Sequence, residues 1–212
     1  ADALIVRTRT RVGKELLEGS QVKAVVSATI GTDHMDIPWL EEHNIAWANA
    51  PGCNSGSVMQ YIASVFAALE TNYYPLEGKT LGIVGVGNVG SKVKKVGEAF
   101  GMKVVLNDPP RQESEPDFKG VDLNVLLQMS DVVSFHVPLQ REGKYPTFHL
   151  LNDATLLMMK RGSVLINTSR GEVVEERVMK KGISSGIIEH GILDVWENEP
   201  DISRELQERL LI

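Results

Sequence analysis

A doubly wound α/β fold is predicted from three features of this 212-residue sequence. Short β-branched runs recur along the chain, helical patterns fill the gaps between them, and a glycine-rich turn follows the first run of the longer series. The runs are nearly continuous in hydrophobic residues, as expected for parallel strands buried on both faces. In order, "ALIV" (3–6), "VKAVVSAT" (22–29) and "IAWANA" (45–50) read as strands, with "GKELLEG" and "PWLEEHN" as short helices between them. "SGSVMQYIASVFAALETNYY" (55–74) opens on a serine suited to cap a helix and continues with one apolar face. From Lys79 the alternation is regular: "TLGIVG" (80–85), "KVVLND" (103–108), "DVVSFHV" (131–137), "GSVLINT" (162–168) and "GIIEHGILDV" (186–195) are strand candidates. Helices are expected near 88–100, 121–129, 152–160, 172–181 and 203–210, and the acidic, proline-rich "PPRQESEPDFKG" (109–120) reads as a surface loop. Residues 1–54 form one expected domain, and 55–212, with the linking helix 55–74, the other.

Composition narrows the function. The chain is 42% hydrophobic and 24% charged, enough apolar material for a sizeable core. Its 22 basic against 28 acidic residues, net −6, argue against nucleic-acid binding. No apolar run reaches the roughly 18 residues that cross a membrane, and no signal-peptide pattern is present. The single cysteine, Cys53, cannot form an internal disulfide, which fits a reducing cytoplasm, and a small buried or inert cysteine is expected over a catalytic thiol. The chain begins at Ala1 and opens directly on an apolar run, so a fragment of a longer protein is expected.

The sharpest signal is "TLGIVGVGNVGSKVKKVGEAFGMKVVLNDPP". Gly85, Gly87 and Gly90 form G-x-G-x-x-G, with Asn88 and Val89 between the last two, after a strand and at the mouth of a helix. Gly85 permits the tight turn, Gly87 lets backbone approach a pyrophosphate, and Gly90 lets helix and strand pack closely. The helix N-terminus offers N–H groups and a positive dipole end to phosphates. Asp108 closes the next strand 18 residues after Gly90 (108 − 90), where a carboxylate accepts hydrogen bonds from ribose hydroxyls. A carboxylate there repels a 2′-phosphate, so NAD is expected over NADP; the nearby Arg111 is the one residue that speaks for the other cofactor. This part of the chain therefore reads as a Rossmann-type domain, and no metal site is expected.

"GIVGVGNVG", "NDPPR", "FHVPL", "LINTSRGEVV" and "LDVWENEPD", in this order and spacing, resemble the D-2-hydroxyacid dehydrogenase family over essentially the whole chain. The resemblance implies that the front segment is an incomplete, flavodoxin-like α/β substrate domain. It implies that Arg170 in "TSRG" holds the substrate's carboxylate and carbonyl oxygen, a role that suits a guanidinium fork, and that Glu199 in "WENEP" orients a catalytic histidine. Asp194 would lie near the nicotinamide, His136 and Val137 on the adenosine side, and Thr168, Ser169 and Gly171 would contact the cofactor. "GTDHMDIPWL", "APGCN" and "GKYPTFHLL" point, within the family, to a member oxidising a small phosphorylated 2-hydroxy acid, with the full-length protein a homodimer. Other 2-hydroxy acids (phosphoglycerate, glyoxylate, hydroxypyruvate) and a non-catalytic NAD sensor are the competing readings.

The family's catalytic histidine would follow Glu199 by somewhat under twenty residues, just beyond Ile212. Of the five histidines present, His136 alone sits at a carboxyl strand end, while His149 and His190 have no carboxylate partner evident in sequence. "RTRTR" (7–11) calls for an anion. By resemblance Thr8 and Thr29 are substrate contacts, and Arg7 suits the phosphate. Strand alternation would separate Arg7 from Thr8 unless the strand ends before residue 7.

Overall fold

A computed structural model describes residues 1–208 and Leu210. The chain divides into two compact units, Ala1–Ser57 and the residues from Val58 onward.

The first unit runs β1 (Ala3–Val6), α1 (Lys14–Leu17), β2 (Ala24–Ser27), α2 (Ile37–Glu42) and β3 (Ala46–Ala48). Its three strands are parallel in the order β1-β2-β3, with Val6 opposite Ser27 and Val26 opposite Ala48. One sheet face is sealed by Val6, Val25, Leu17, Leu40 and Ile45, while Ile5 and Val26 on the other are exposed. Asp36 starts α2 by accepting from the Trp39 N–H at 3.2 Å, and Pro38 fits the first turn, where its missing donor costs nothing. Strand β1 ends at Val6, and Arg7 to Thr10 form a turn closed by Thr10 N–H donating to Arg7 O at 3.0 Å. The alternation that would separate Arg7 from Thr8 therefore does not apply.

Helix α3 (Ser55–Asn72) follows, then β4 (Thr80–Val84), α4 (Gly90–Ala99), β5 (Lys103–Asn107), α5 (Pro109–Ser114), α6 (Leu123–Met129), β6 (Val132–Phe135), α7 (Asp153–Leu156), β7 (Ser163–Asn167), a 3₁₀ turn (Gly171–Val173), α8 (Glu176–Ser184), β8 (Ile188–Leu193) and α9 (Arg204–Gln207). The five strands of the second unit are all parallel, in the order β5-β4-β6-β7-β8. Alternate residues feed two apolar layers. Leu81, Ile83, Val132, Val164 and Ile166 meet Ile62, Phe66 and Leu69 of α3 and Val93 of α4. Val84, Val133, Phe135 and Leu165 meet Leu126, Leu156 and Val178 of α6, α7 and α8. Helices on both faces leave β6 and β7 buried along their whole length, which is why their sequence is mainly apolar, with Ser134, Ser163 and Asn167 the buried polar exceptions.

Every predicted strand is present: β1 matches its run, and the others lose at most two residues at either end. The loop expected at 109–120 is corrected: it begins with a helix, α5. Asp108 caps it, accepting from Arg111 N–H at 3.2 Å, the two prolines occupy its first turn, and Arg111 pairs with Glu115 at 2.5 Å.

Candidate dinucleotide site

Between β4 and β6 the winding of the sheet changes side, because β5 lies on one side of β4 and all later strands on the other. In doubly wound sheets the crevice beyond the strand ends at this switch point is where ligands bind. A cleft of about 380 Å³ lies there, lined by Gly85, Gly87, Asn107, Asp108, His136 and Val137, with Pro138, Tyr145 and Thr147 opposite.

The three glycines play different parts. Gly85 has φ +86°, and a Cβ on it would come within 2.5 Å of His136 O. A Cβ on Gly90 would lie 2.0 Å from Gly85 O, so the start of α4 rests directly on the turn. A Cβ on Gly87 would meet nothing within 4 Å. Packing therefore demands the outer two glycines, while the middle one holds backbone open to the cleft. Asn88 is exposed, and Val89 opens α4 without a side-chain cap, which leaves the helix N-terminus to a ligand.

Asp108 has two jobs. Its Oδ2 accepts from Val86 N–H at 2.8 Å, holding the glycine turn, and its Oδ1 caps α5. Arg111 does not line the cleft: it donates to Val86 O at 2.7 Å, pairs with Glu115 and stacks over the Phe118 ring at 4.6 Å. A dinucleotide fits these residues: open backbone at Gly87 for phosphates, a carboxylate at Asp108 for ribose hydroxyls, and apolar walls from Val137 and the prolines.

His136 closes the floor. Ser134 Oγ lies 2.8 Å from its Nε2 and Thr168 Oγ1 lies 3.3 Å from its Nδ1. Desolvation lowers its pKa from the usual 6.5 to about 3, so the ring is neutral at physiological pH. Between those two values the unfolded chain binds a proton that the folded protein refuses, so stability falls as pH drops from 6.5 towards 3. The unfolding free energy of His136→Gln is expected to depend less steeply on pH across that window. Denaturant titrations at stepped pH measure this, and parallel slopes for both proteins would show that the ring is solvated.

The turn bearing Arg170 follows β7. Asn167, fully buried, accepts from Ser169 N–H at 3.0 Å and from Ser169 Oγ at 2.8 Å, and donates through Nδ2 to Arg170 O at 2.8 Å. Arg170 Nη1 donates to Ser169 O at 2.8 Å. A Cβ on Gly171 would lie 1.9 Å from Trp196 O, so only glycine lets this turn press against the loop that carries Glu199. There Glu199 Oε1 accepts from Trp196 N–H at 2.9 Å. Burial, and then the charge of Glu199, hold the Asp194 carboxyl above its usual range. Arg170, Ser169, Asp194 and Glu199 do not line the cleft itself.

In the first unit Arg7, Thr8 and Thr29 gather at the carboxyl ends of neighbouring strands. Ala28 N–H donates to Val6 O at 2.9 Å, which sets the segment Arg7–Thr8 beside Ala28–Thr29.

Two expectations are corrected. His149 has a carboxylate partner after all: its Nε2 bonds Glu197 Oε1, whose Oε2 accepts from Glu176 N–H at 2.7 Å at the start of α8. Of the two expectations for Cys53, buried or inert, burial does not hold: the residue is exposed. Asn107, Asn167 and Thr147 escaped the sequence reading. Asn107 donates to Val121 O at 2.8 Å, and Thr147 ties the loop over the cleft through Pro138 O at 2.5 Å and Gln140 N–H at 2.8 Å. Their only signal was position, at strand ends or beside proline.

Residues 60–210 match the family described as D-isomer specific 2-hydroxyacid dehydrogenase, NAD binding domain. The chain belongs to the D-isomer specific 2-hydroxyacid dehydrogenases. It is 51% identical to the erythronate-4-phosphate dehydrogenase of Bacteroides thetaiotaomicron, over 100% of this chain and 61% of that one. It is 45% identical to the enzyme of the same name from Klebsiella pneumoniae, over 99% and 56%. The chain thus spans between 56% and 61% of the length of these two curated relatives. Among solved structures, D-lactate dehydrogenase from Aquifex aeolicus, complexed with NAD and lactic acid, is 26% identical with a TM-score of 0.79, covering 99% of this chain and 71% of that one. The NAD⁺-bound 3-phosphoglycerate dehydrogenase of Entamoeba histolytica is 28% identical with a TM-score of 0.82, covering 99% and 69%. The matched segment is the NAD-binding part of this dehydrogenase family, and the cleft lined by Gly85, Gly87 and Asp108 lies within it. No described helix is long and apolar enough to cross a membrane.

Proposed function

We propose that the full-length protein is a 2-hydroxyacid dehydrogenase that oxidises the C2 hydroxyl of 4-phospho-D-erythronate to a ketone with NAD, a step towards pyridoxal phosphate. The observation that carries this reading is the 51% identity to an erythronate-4-phosphate dehydrogenase over the whole of this chain, front unit included. The front unit, Ala1–Ser57 with Arg7, Thr8 and Thr29, takes the phosphorylated acid. Arg170 grips the carboxylate and the oxygen on C2, where charge develops as the hydroxyl proton leaves. Glu199 orients the histidine, expected after Ile212, that accepts this proton. Asp194, held above the usual carboxylate range, serves the nicotinamide end, and Thr168, Ser169 and Gly171 hold the cofactor by backbone or hydroxyl. When bound, NAD supplies the hydride acceptor. The enzyme works as a homodimer in the cytoplasm.

The test is NADH formation by the purified full-length protein with 4-phospho-D-erythronate, 3-phosphoglycerate, D-lactate and D-glycerate in parallel. The expected result is a kcat/KM at least a hundredfold higher for the first acid. Preference for any of the others would overturn the substrate, and NAD binding without turnover of any acid would favour a sensor.

A further inference from the structure

Thr29 is tied inward by a pair of buried side chains that no step above uses. Its Oγ1 lies 2.8 Å from Ser27 Oγ, and Ser27 Oγ lies 3.1 Å from His34 Nε2. Ser27 is completely buried and His34 is 6% exposed, while Thr29 itself is half-buried. The backbone around Thr29 is held independently: Ala50 N–H donates to Thr29 O at 3.1 Å and Asn49 Nδ2 donates to Ile30 O at 2.6 Å. A threonine fixed in this way does not need a buried serine and histidine behind it for its backbone position.

The chain of three groups has a direction, because each hydroxyl carries one proton. If His34 is protonated at Nε2, it donates to Ser27, Ser27 donates to Thr29, and the Thr29 proton is left for another acceptor. If His34 carries its proton on Nδ1 alone, Ser27 donates to Nε2 and accepts from Thr29. The Thr29 proton is then spent inward, and the hydroxyl can offer a ligand only lone pairs. An anionic oxygen needs a donor, so the two arrangements differ in whether Thr29 can bind one at all. Buried chains of this kind polarise one another, which strengthens the terminal donor.

We propose that His34 and Ser27 are positioning residues that set Thr29 as a hydrogen-bond donor to an anionic oxygen of the substrate, through the relay His34 Nε2–H to Ser27 Oγ–H to Thr29 Oγ1–H. This rests on the reading of Thr29 as a contact of the acid. It adds two specificity-determining residues outside the contact shell and fixes the tautomer of His34.

In the full-length protein, Ser27→Ala, Thr29→Val, the double variant, His34→Leu and His34→Gln are compared with the parent. Ser27→Ala and Thr29→Val are each expected to raise KM for 4-phospho-D-erythronate roughly 10- to 100-fold, the loss of a hydrogen bond to a charged group, with KM for NAD unchanged. The double variant should be no worse than Thr29→Val alone, because Ser27 acts only through the Thr29 hydroxyl. His34→Gln keeps an N–H for Ser27 and should restore the KM that His34→Leu loses. Repeating the series with D-erythronate identifies the anion: a retained effect assigns the relay to the carboxylate, a vanished one to the phosphate. Multiplying effects in the double variant, or an unchanged KM in Ser27→Ala, would overturn the relay. Imidazole ¹⁵N spectra give a second readout that needs no turnover. A His34 protonated only at Nδ1 refutes the proposal even if the protein proves inactive on every acid, an outcome that would instead sink the substrate assignment.

Discussion

Gly90→Ala is expected to destabilise the second unit by about 3 kcal/mol or more, while Gly87→Ala leaves stability within about 0.5 kcal/mol of the parent and weakens NAD. The two substitutions add the same methyl to the same turn, but the surroundings differ. At Gly90 the methyl would sit 2.0 Å from the carbonyl oxygen of Gly85, a backbone atom that yields only if α4 lifts away from the turn. That movement would also pull Val93 out of the apolar layer it shares with Ile83 and Leu81. At Gly87 nothing lies within 4 Å, so the folded protein accommodates the methyl. The methyl then occupies the space through which a pyrophosphate reaches the backbone, and NAD affinity should fall about tenfold, the equivalent of one good hydrogen bond. Denaturant unfolding without cofactor, followed by calorimetric titration with NAD, separates the two effects. Equal loss of stability in both variants, or native NAD affinity in Gly87→Ala, would show that the glycines are not divided between packing and ligand.

Arg170→Ala is expected to lower kcat/KM of the full-length enzyme about 10²- to 10³-fold, the effect of removing one donor to a developing oxyanion. Arg170→Lys should recover little of it, since an ammonium cannot make the two parallel bonds that a carboxylate accepts from a guanidinium. The turn should survive both changes. Its shape is held by Asn167, which bonds Ser169 twice and the backbone carbonyl of residue 170, none of which involves the Arg170 side chain. Melting temperature and KM for NAD are therefore expected to stay near the parent values while kcat falls. An Arg170→Lys variant with native kcat would remove the guanidinium from the chemistry.

Much of the fold was legible because the relevant signals are local. "SVLIN" has three consecutive apolar residues, Val164 to Ile166, because β7 has helices on both sides, and that run can be read without knowing which helices they are. Gly85, Gly90 and Asp108 were legible for a related reason: a turn needing a left-handed residue, a helix starting against it and an acid on the next strand follow each other closely along the chain. The helix at 109–114 is hidden in the sequence because prolines also favour loops. Asp-Pro-Pro is equally a helix start, and the same Asp108 assigned to a ribose is the residue that caps it.

Other features needed folding to exist. His149 and Glu197 are 48 residues apart, and no periodicity links them; they meet because the segment before α7 and the loop after β8 both run past the start of α8. Asn167 was anonymous as the last residue of a strand and became the holder of the Arg170 turn only when its side chain was seen bonded on three sides. Nothing local in the sequence marks His34, and its contact with Ser27 depends on the chain returning to β2. The parallel α/β class, the glycine turn and the acid at the end of β5 were legible in the sequence, since continuous hydrophobicity and the steric needs of glycine act within a few residues. Only the tertiary structure decided the strand order and which polar groups meet, because a hydrogen bond links atoms within about 3 Å in space, a distance that separation along the chain does not encode.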